Sequence, residues 1–139
     1  MKPIKGNFQL KSWNEEAYEE RDGRRLTRTS VSQQFDGDLS GDGAAEWLMA
    51  YQADGRARFV GFQIVDGEMA GHRGRLVLET AGEFDGRAAR WDATIVPGSS
   101  TGELANAKGA GKFQAPHGST ASYELEVTLS DPLKRPGRD

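Results

Sequence analysis

Residues 94–113 read TIVPGSSTGELANAKGAGKF, and two architectures compete for them. As a phosphate loop the segment would belong to a nucleotide enzyme; as a set of turns it would belong to a small β-sheet protein. A P-loop needs glycine, four residues, then Gly-Lys-Ser/Thr, because backbone amides and the lysine wrap the phosphates at the start of a helix. Gly111-Lys112 is followed by Phe113, and Asn106 stands where the first glycine belongs. A dinucleotide fingerprint fails too, since Gln114 occupies its third glycine position and no helical periodicity follows. Gly98, Gly102, Gly109 and Gly111 are read instead as turn and kink residues that let a curved sheet bend.

Working outward, eighteen glycines are spread through the chain and punctuate short runs of alternating apolar and polar residues. That period of two is the mark of half-buried strands. Strands are expected at 6–13, 26–35, 44–52, 57–65, 74–82, 86–96, 103–113 and 120–129. Asp54-Gly55 lies between the third and fourth, and Asp-Gly is a strong hairpin signal because both positions tolerate positive φ. About eight strands joined by short turns, with no crossover helix, predict an all-β, up-and-down antiparallel barrel whose closure removes exposed edges. The whole of 1–139 is read as one domain. Its charged run NEEAYEERDGRRL (14–26) is expected as an insert, a helical turn or a lid at a barrel mouth, and 130–139 as a tail.

Charge belongs in water, so each strand can be given an inner face. Trp91, Ala93 and Ile95 are expected inside, opposite Arg90, Asp92 and Thr94. The same test turns Phe8, Leu10, Thr29, Val31, Gln33, Leu76, Leu78, Tyr123, Leu125 and Val127 inward. On 57–65 it places Phe59, Gly61 and Gln63 inside and leaves Val60, Phe62 and Ile64 outside. Strand 44–52 stays open: either Glu46, Leu48 and Ala50 point in, or Trp47, Met49 and Tyr51 do. The first choice puts Glu46 in the lumen as a candidate catalytic acid. It also builds an outer apolar patch from Trp47, Met49, Tyr51, Val60, Phe62 and Ile64, suited to a homo-oligomer through the outer face of the 44–65 hairpin.

With 139 residues the chain can bury roughly two thirds of its unfolded surface without staples. Eighteen basic and 21 acidic residues leave a net charge of −3, with no basic stripe for nucleic acid. The absence of cysteine fits a reducing compartment, and neither a signal-like apolar start nor a run of membrane-span length is found. A cytoplasmic protein is expected, with no nucleic-acid or membrane partner.

The blocks FQLKSWNEE (8–16), LTRTSVSQQFDGDLSGDGAAEWLMAY (26–51), DGRARFVGFQIVDG (54–67), GRLVLETAGEFDG (74–86), IVPGSSTGELANAKGAGKF (95–113) and PHGSTASYELEV (116–127) together carry a resemblance. They look like a family of small bacterial proteins with the allene-oxide-cyclase-like barrel, relatives of the calycins. The resemblance implies an eight-stranded barrel whose interior holds a small apolar molecule, and no particular reaction. Members of that family tend to carry Glu where this chain has Gln63, so the resemblance implies that an acid role is lost there, although Gln63 still donates and accepts hydrogen bonds.

Chemistry is sparse. His72 and His117, the two histidines, both sit in turn-like contexts, so no metal site is expected. A triad of His117 with Ser99, Ser100 or Ser119 has no nucleophile-elbow pattern behind it. Glu103 is read as a cap on turn amides. Three functions follow. The first is a barrel binding a small apolar or amphipathic molecule, with Gln33, Phe59, Gln63, Leu78, Trp91, Ile95 and Tyr123 as ligand-facing residues and no cofactor. The second is a cofactor-independent cyclase or isomerase that folds a flexible polyene or oxide, with Glu46 as its acid. The third is a filled barrel whose work is assembly through its outer patch.

Overall fold

The computed structural model describes residues 2–117 and 120–129. The expected tail at 130–139 and Ser119 lie outside them. Among the described residues nine antiparallel strands run β1 (Lys2–Arg21), β2 (Arg24–Gly37), β3 (Leu39–Tyr51), β4 (Ala57–Met69), β5 (His72–Phe84), β6 (Ala88–Ile95), β7 (Thr101–Gly102), β8 (Lys108–Pro116) and β9 (Ala121–Thr128). The ring order is β1-β2-β3-β4-β5-β6-β8-β9, and β9 returns to β1. This is the expected up-and-down barrel. The extra strand, β7, pairs only with the start of β5. The hairpin at 52–56 is closed by the Gly55 amide on Gln52 O at 3.0 Å, with Gly55 at φ +92°.

Alternation predicts these faces because each inward row meets other rows across the axis. Trp91, Ala93 and Ile95 are buried, as are Phe59, Gln63, Leu76, Leu78, Leu125 and Val127. The lumen is filled by aromatic rings. Trp91 stacks on Phe113 at 5.3 Å and meets Trp47 edge-on at 5.0 Å, while Phe8 stacks on Phe35 at 5.2 Å. Phe59 lies 4.9 Å from Trp47. Such offset and edge contacts are favourable beyond the area they bury.

Strand β3 takes the second of its two possible orientations: Trp47 and Met49 are buried, and Glu46 and Leu48 face solvent. Two reasons favour it. Burying Trp47 and Met49 removes more apolar surface from water than burying Leu48 and Ala50, and Glu46 keeps its hydration. The lumenal Glu46 is thereby corrected, and with it the membership of the outer patch: Trp47 and Met49 are core.

Three other expectations are corrected. Leu10 is 43% exposed rather than inward. β1 pairs with β9 only through Phe8, and the register shifts between Leu10 and Ser12, so beyond Phe8 the strand leaves the ring and loses its facing wall. The run 14–26 is neither helix nor insert. β1 continues to Arg21, Asp22 and Gly23 turn at φ +53° and +78°, and β2 returns from Arg24. Both turn residues hold positive φ, as a tight primed hairpin turn requires. Finally, 103–113 is not one strand, since turn residues Glu103–Asn106 precede β8.

Candidate functional site

The expected ligand-facing residues converge in the lumen. Gln33 on β2, Gln63 on β4 and Trp91 on β6 form one hydrogen-bonded chain: the Trp91 indole donates to Gln63 Oε1 at 3.2 Å, and Gln63 Nε2 donates to Gln33 Oε1 at 2.8 Å. Phe59 lies 6.0 Å from the Trp91 ring. Leu78 pairs with both Gln63 and Ile95 in register, so these three share one inner patch. A second link runs from the Trp47 indole to Thr80 Oγ1 at 3.0 Å, and the Thr80 hydroxyl donates in turn to Gly61 O at 2.9 Å.

Tyr123 is set apart by its bonding. Its hydroxyl accepts from the Leu39 amide at 2.9 Å and faces the carbonyls of Asp36 and Leu39, each at 2.8 Å. It therefore ties β9 to the β2–β3 turn, and burial pushes its pKa up to about 12. A Cβ at Gly6 or Gly37 would crowd that hydroxyl, which explains glycine at both places.

Glu46 lies on the outer wall, where Ser30 Oγ donates to it at 2.5 Å and Arg28 pairs with it at 3.3 Å. The outer wall also holds a concave groove of about 780 Å³ whose floor is Leu48, Val60, Phe62 and Ala81, rimmed by Arg28, Glu46, Glu79 and Asp92. Leu48, Val60 and Phe62 are 50%, 55% and 53% exposed. The expected outward direction of Val60 and Phe62 holds. A larger concavity of about 1120 Å³ continues from it across β4, β5, β6, β8, β9 and β1, with Arg58, Arg90 and Lys112 interleaved with Glu83, Asp92 and Glu124.

One cluster escaped the sequence reading. At the end of the barrel where β1 leaves the ring, the Glu15 carboxylate accepts from the Trp13 indole at 2.9 Å and from Thr27 Oγ1 at 2.8 Å. Burial pushes its pKa up, but donation from Trp13, Tyr51 and Thr27, with the nearby Arg25 charge, outweighs this and leaves it lowered. Tyr51 is pushed up to about 12 by burial and by that carboxylate, while Arg25 lies 4.4 Å over its ring. Glu15 is thus a fixed anion at neutral pH, not a proton donor. The available signal was Asp22-Gly23, the same turn dipeptide as Asp54-Gly55, which pairs Glu15 with Thr29 across a hairpin.

The remaining candidates do not assemble. His72 contacts Ala70 O at 3.0 Å at one end of the barrel, and the His117 amide bonds Arg87 O at 2.7 Å at the other. Ser100 and His117 are held apart by β8, whose nine residues span about 27 Å. Ser100 Oγ instead accepts from the Val77 amide at 3.1 Å. Glu103 does cap an amide, that of Arg73 at 2.8 Å. Among the described residues no group of three or more His, Asp or Glu side chains is placed to hold a metal ion.

The model of a family described as "Protein of unknown function (DUF3224)" matches residues 4–127. The fold is similar to the crystal structure, at 1.84 Å resolution, of a protein with unknown function from the DUF3224 family of Shewanella oneidensis MR-1. That likeness has a TM-score of 0.80 and 29% identity, over 94% of this chain and 98% of the other. Among curated proteins none matches the chain.

Proposed function

Since the chain belongs to the DUF3224 family, a family of unknown function, we propose its role from geometry: a filled barrel that assembles with a second copy of itself through the outer groove. The carrying observation is the groove floor of Leu48, Val60 and Phe62, three large apolar side chains left half exposed on one concave surface. Isolated exposed apolar residues need no explanation, but a contiguous patch with a polar rim marks an interaction site. The rims bring charges of both signs to a second copy. Arg28 and its partner Glu46 stand on the β2 and β3 side of Phe62, and Glu79 and Asp92, the latter held by Lys112, stand on the β5 and β6 side. A two-fold axis along β4 lays the Arg28–Glu46 rim of one copy over Glu79 and Asp92 of the other, where Arg28 exchanges its Glu46 contact for theirs. A stable pair needs about 800 Å² from each copy, so the rims take part with the three apolar side chains.

The other two readings have less behind them. Lumenal binding of an apolar molecule competes with the aromatic rings that already pack there. Kinship with allene-oxide-cyclase-like barrels rests on fold, which hosts many unrelated functions. The cyclase reading also loses its acid, because Glu46 faces solvent.

Sedimentation velocity tests the assembly. The wild type sediments as a dimer, and Phe62→Arg, which buries a charge against the partner's apolar floor, weakens association at least about a hundredfold, roughly 3 kcal/mol. Its far-UV circular dichroism is unchanged, since the residue lies outside the core. A wild type that stays monomeric at high concentration overturns the proposal.

A further inference from the structure

We infer that the lumen contains a small internal site in which the side-chain amide of Gln33 donates to one neutral oxygen acceptor that is not part of the chain. The inference follows from the direction of the hydrogen bonds, which the chain Trp91–Gln63–Gln33 determines without ambiguity. An indole nitrogen can only donate, so Trp91 requires the oxygen of Gln63 to face it. The Gln63 nitrogen is then left to face Gln33, at 2.8 Å from Oε1. Turning either amide over would set two donors against each other. Gln33 Nε2 is therefore the end of the relay, and it meets no acceptor among the described residues.

Gln33 is 2% exposed, so bulk water does not supply the missing partner. Leaving a buried donor unmade forfeits its full hydration, and buried polar groups are satisfied in all but a few cases. A lumenal guest with an acceptor removes that cost. The surroundings set its class. The other buried polar side chains among the described residues, Thr27, Thr29, Gln63, Thr80 and Ser100, are all uncharged, so an anion would meet no counter-charge from them. On its Oε1 side Gln33 is closed in: Gly43 stands opposite it in register, and a Cβ there would lie 2.6 Å from Phe35 Cε1 and 3.1 Å from Gln33 Oε1. The guest is thus a neutral molecule that presents oxygen to Gln33 Nε2: a water, or a small ketone or alcohol. This site is independent of the outer groove, and each proposal stands or falls without the other.

The test is a high-resolution crystal structure of the full chain, together with a titration of the labelled protein by 2-butanone, followed through side-chain amide resonances. Expected is density within about 3.2 Å of Gln33 Nε2, in line with that nitrogen. A shift of the Gln33 amide protons with butanone, accompanied by a shift of the Trp91 indole proton that Gln33→Met loses, identifies an exchangeable carbonyl guest. Density of one oxygen atom with no response to butanone identifies water as the occupant. Empty space beside Gln33 Nε2, or a protein carbonyl or hydroxyl accepting from it, overturns the inference. The wild-type crystal decides between these outcomes even if Gln33→Met fails to fold.

Discussion

Asp85, at the turn between β5 and β6, accepts from the amides of Arg87 at 2.8 Å and Ala88 at 2.9 Å and from the Arg90 guanidinium at 3.1 Å. Those two amides, then Arg90, hold its carboxyl down at about 2. A folded-state pKa below the ordinary value of about 3.9 means that the ionised form is the stabilising one. Its contribution is complete above about pH 4 and is lost as pH falls through about 2. Asp85→Asn should therefore lower the urea midpoint at pH 6, and the gap from wild type should close as pH approaches 2. Equal midpoints at pH 6 would remove Asp85 from the stability of the turn. In the sequence this residue stands only between the expected strands 74–82 and 86–96, in Phe84-Asp85-Gly86. The donors that shift it come from the backbone geometry of the next strand, which no single residue reveals. Glu46 shows the converse: its carboxylate was noticed at once, yet its side of the strand depended on its neighbours.

Among the elements, β1 is the longest that the alternation rule misjudged, beside the start of β8. Residues Gly6–Phe8 of β1 lie between β2 and β9, Lys2–Lys5 pair with β9, and Gln9–Arg21 pair with β2 alone. An unpaired edge invites other strands, and natural sheets protect such edges with charges and bulges. Both devices are present here. The register shifts between Leu10 and Ser12 and again between Ala17 and Glu19, and Glu16, Glu19 and Glu20 are exposed. Because both faces of this stretch meet water or a thin layer of side chains, no apolar alternation was written into it, so it read as an insert. Replacing Glu16, Glu19 and Glu20 together by Thr removes the charges and raises strand propensity. Light scattering of that variant should grow with time at neutral pH while the wild type stays clear. A clear solution with native circular dichroism would show that the bulges suffice without the charges.

Across the whole molecule, closure sets β9 beside β1, and Tyr123 is the side chain that reaches past β1 at Gly6 to the β2–β3 turn. Tyr123→Phe keeps the ring against Phe35 and Phe113 but orphans the Leu39 amide and the carbonyls it serves. The expected cost is about 1–3 kcal/mol in urea unfolding, with the fold retained. An unchanged midpoint would mean that water replaces the hydroxyl. The sequence by itself determined the barrel, its strand order, the inner position of Trp91, Gln33 and Gln63, and the failure of the glycine-rich loop as a phosphate site. Each of these rests on a period of two or on residue spacing, which are local quantities. Only the tertiary structure decided which face of β3 is buried, that Glu46 meets solvent, that Leu10 leaves the ring, and that Gln33 ends a relay begun at Trp91. Those outcomes compare burial and donor direction summed over strands distant in sequence, so the chain cannot express them until it has closed.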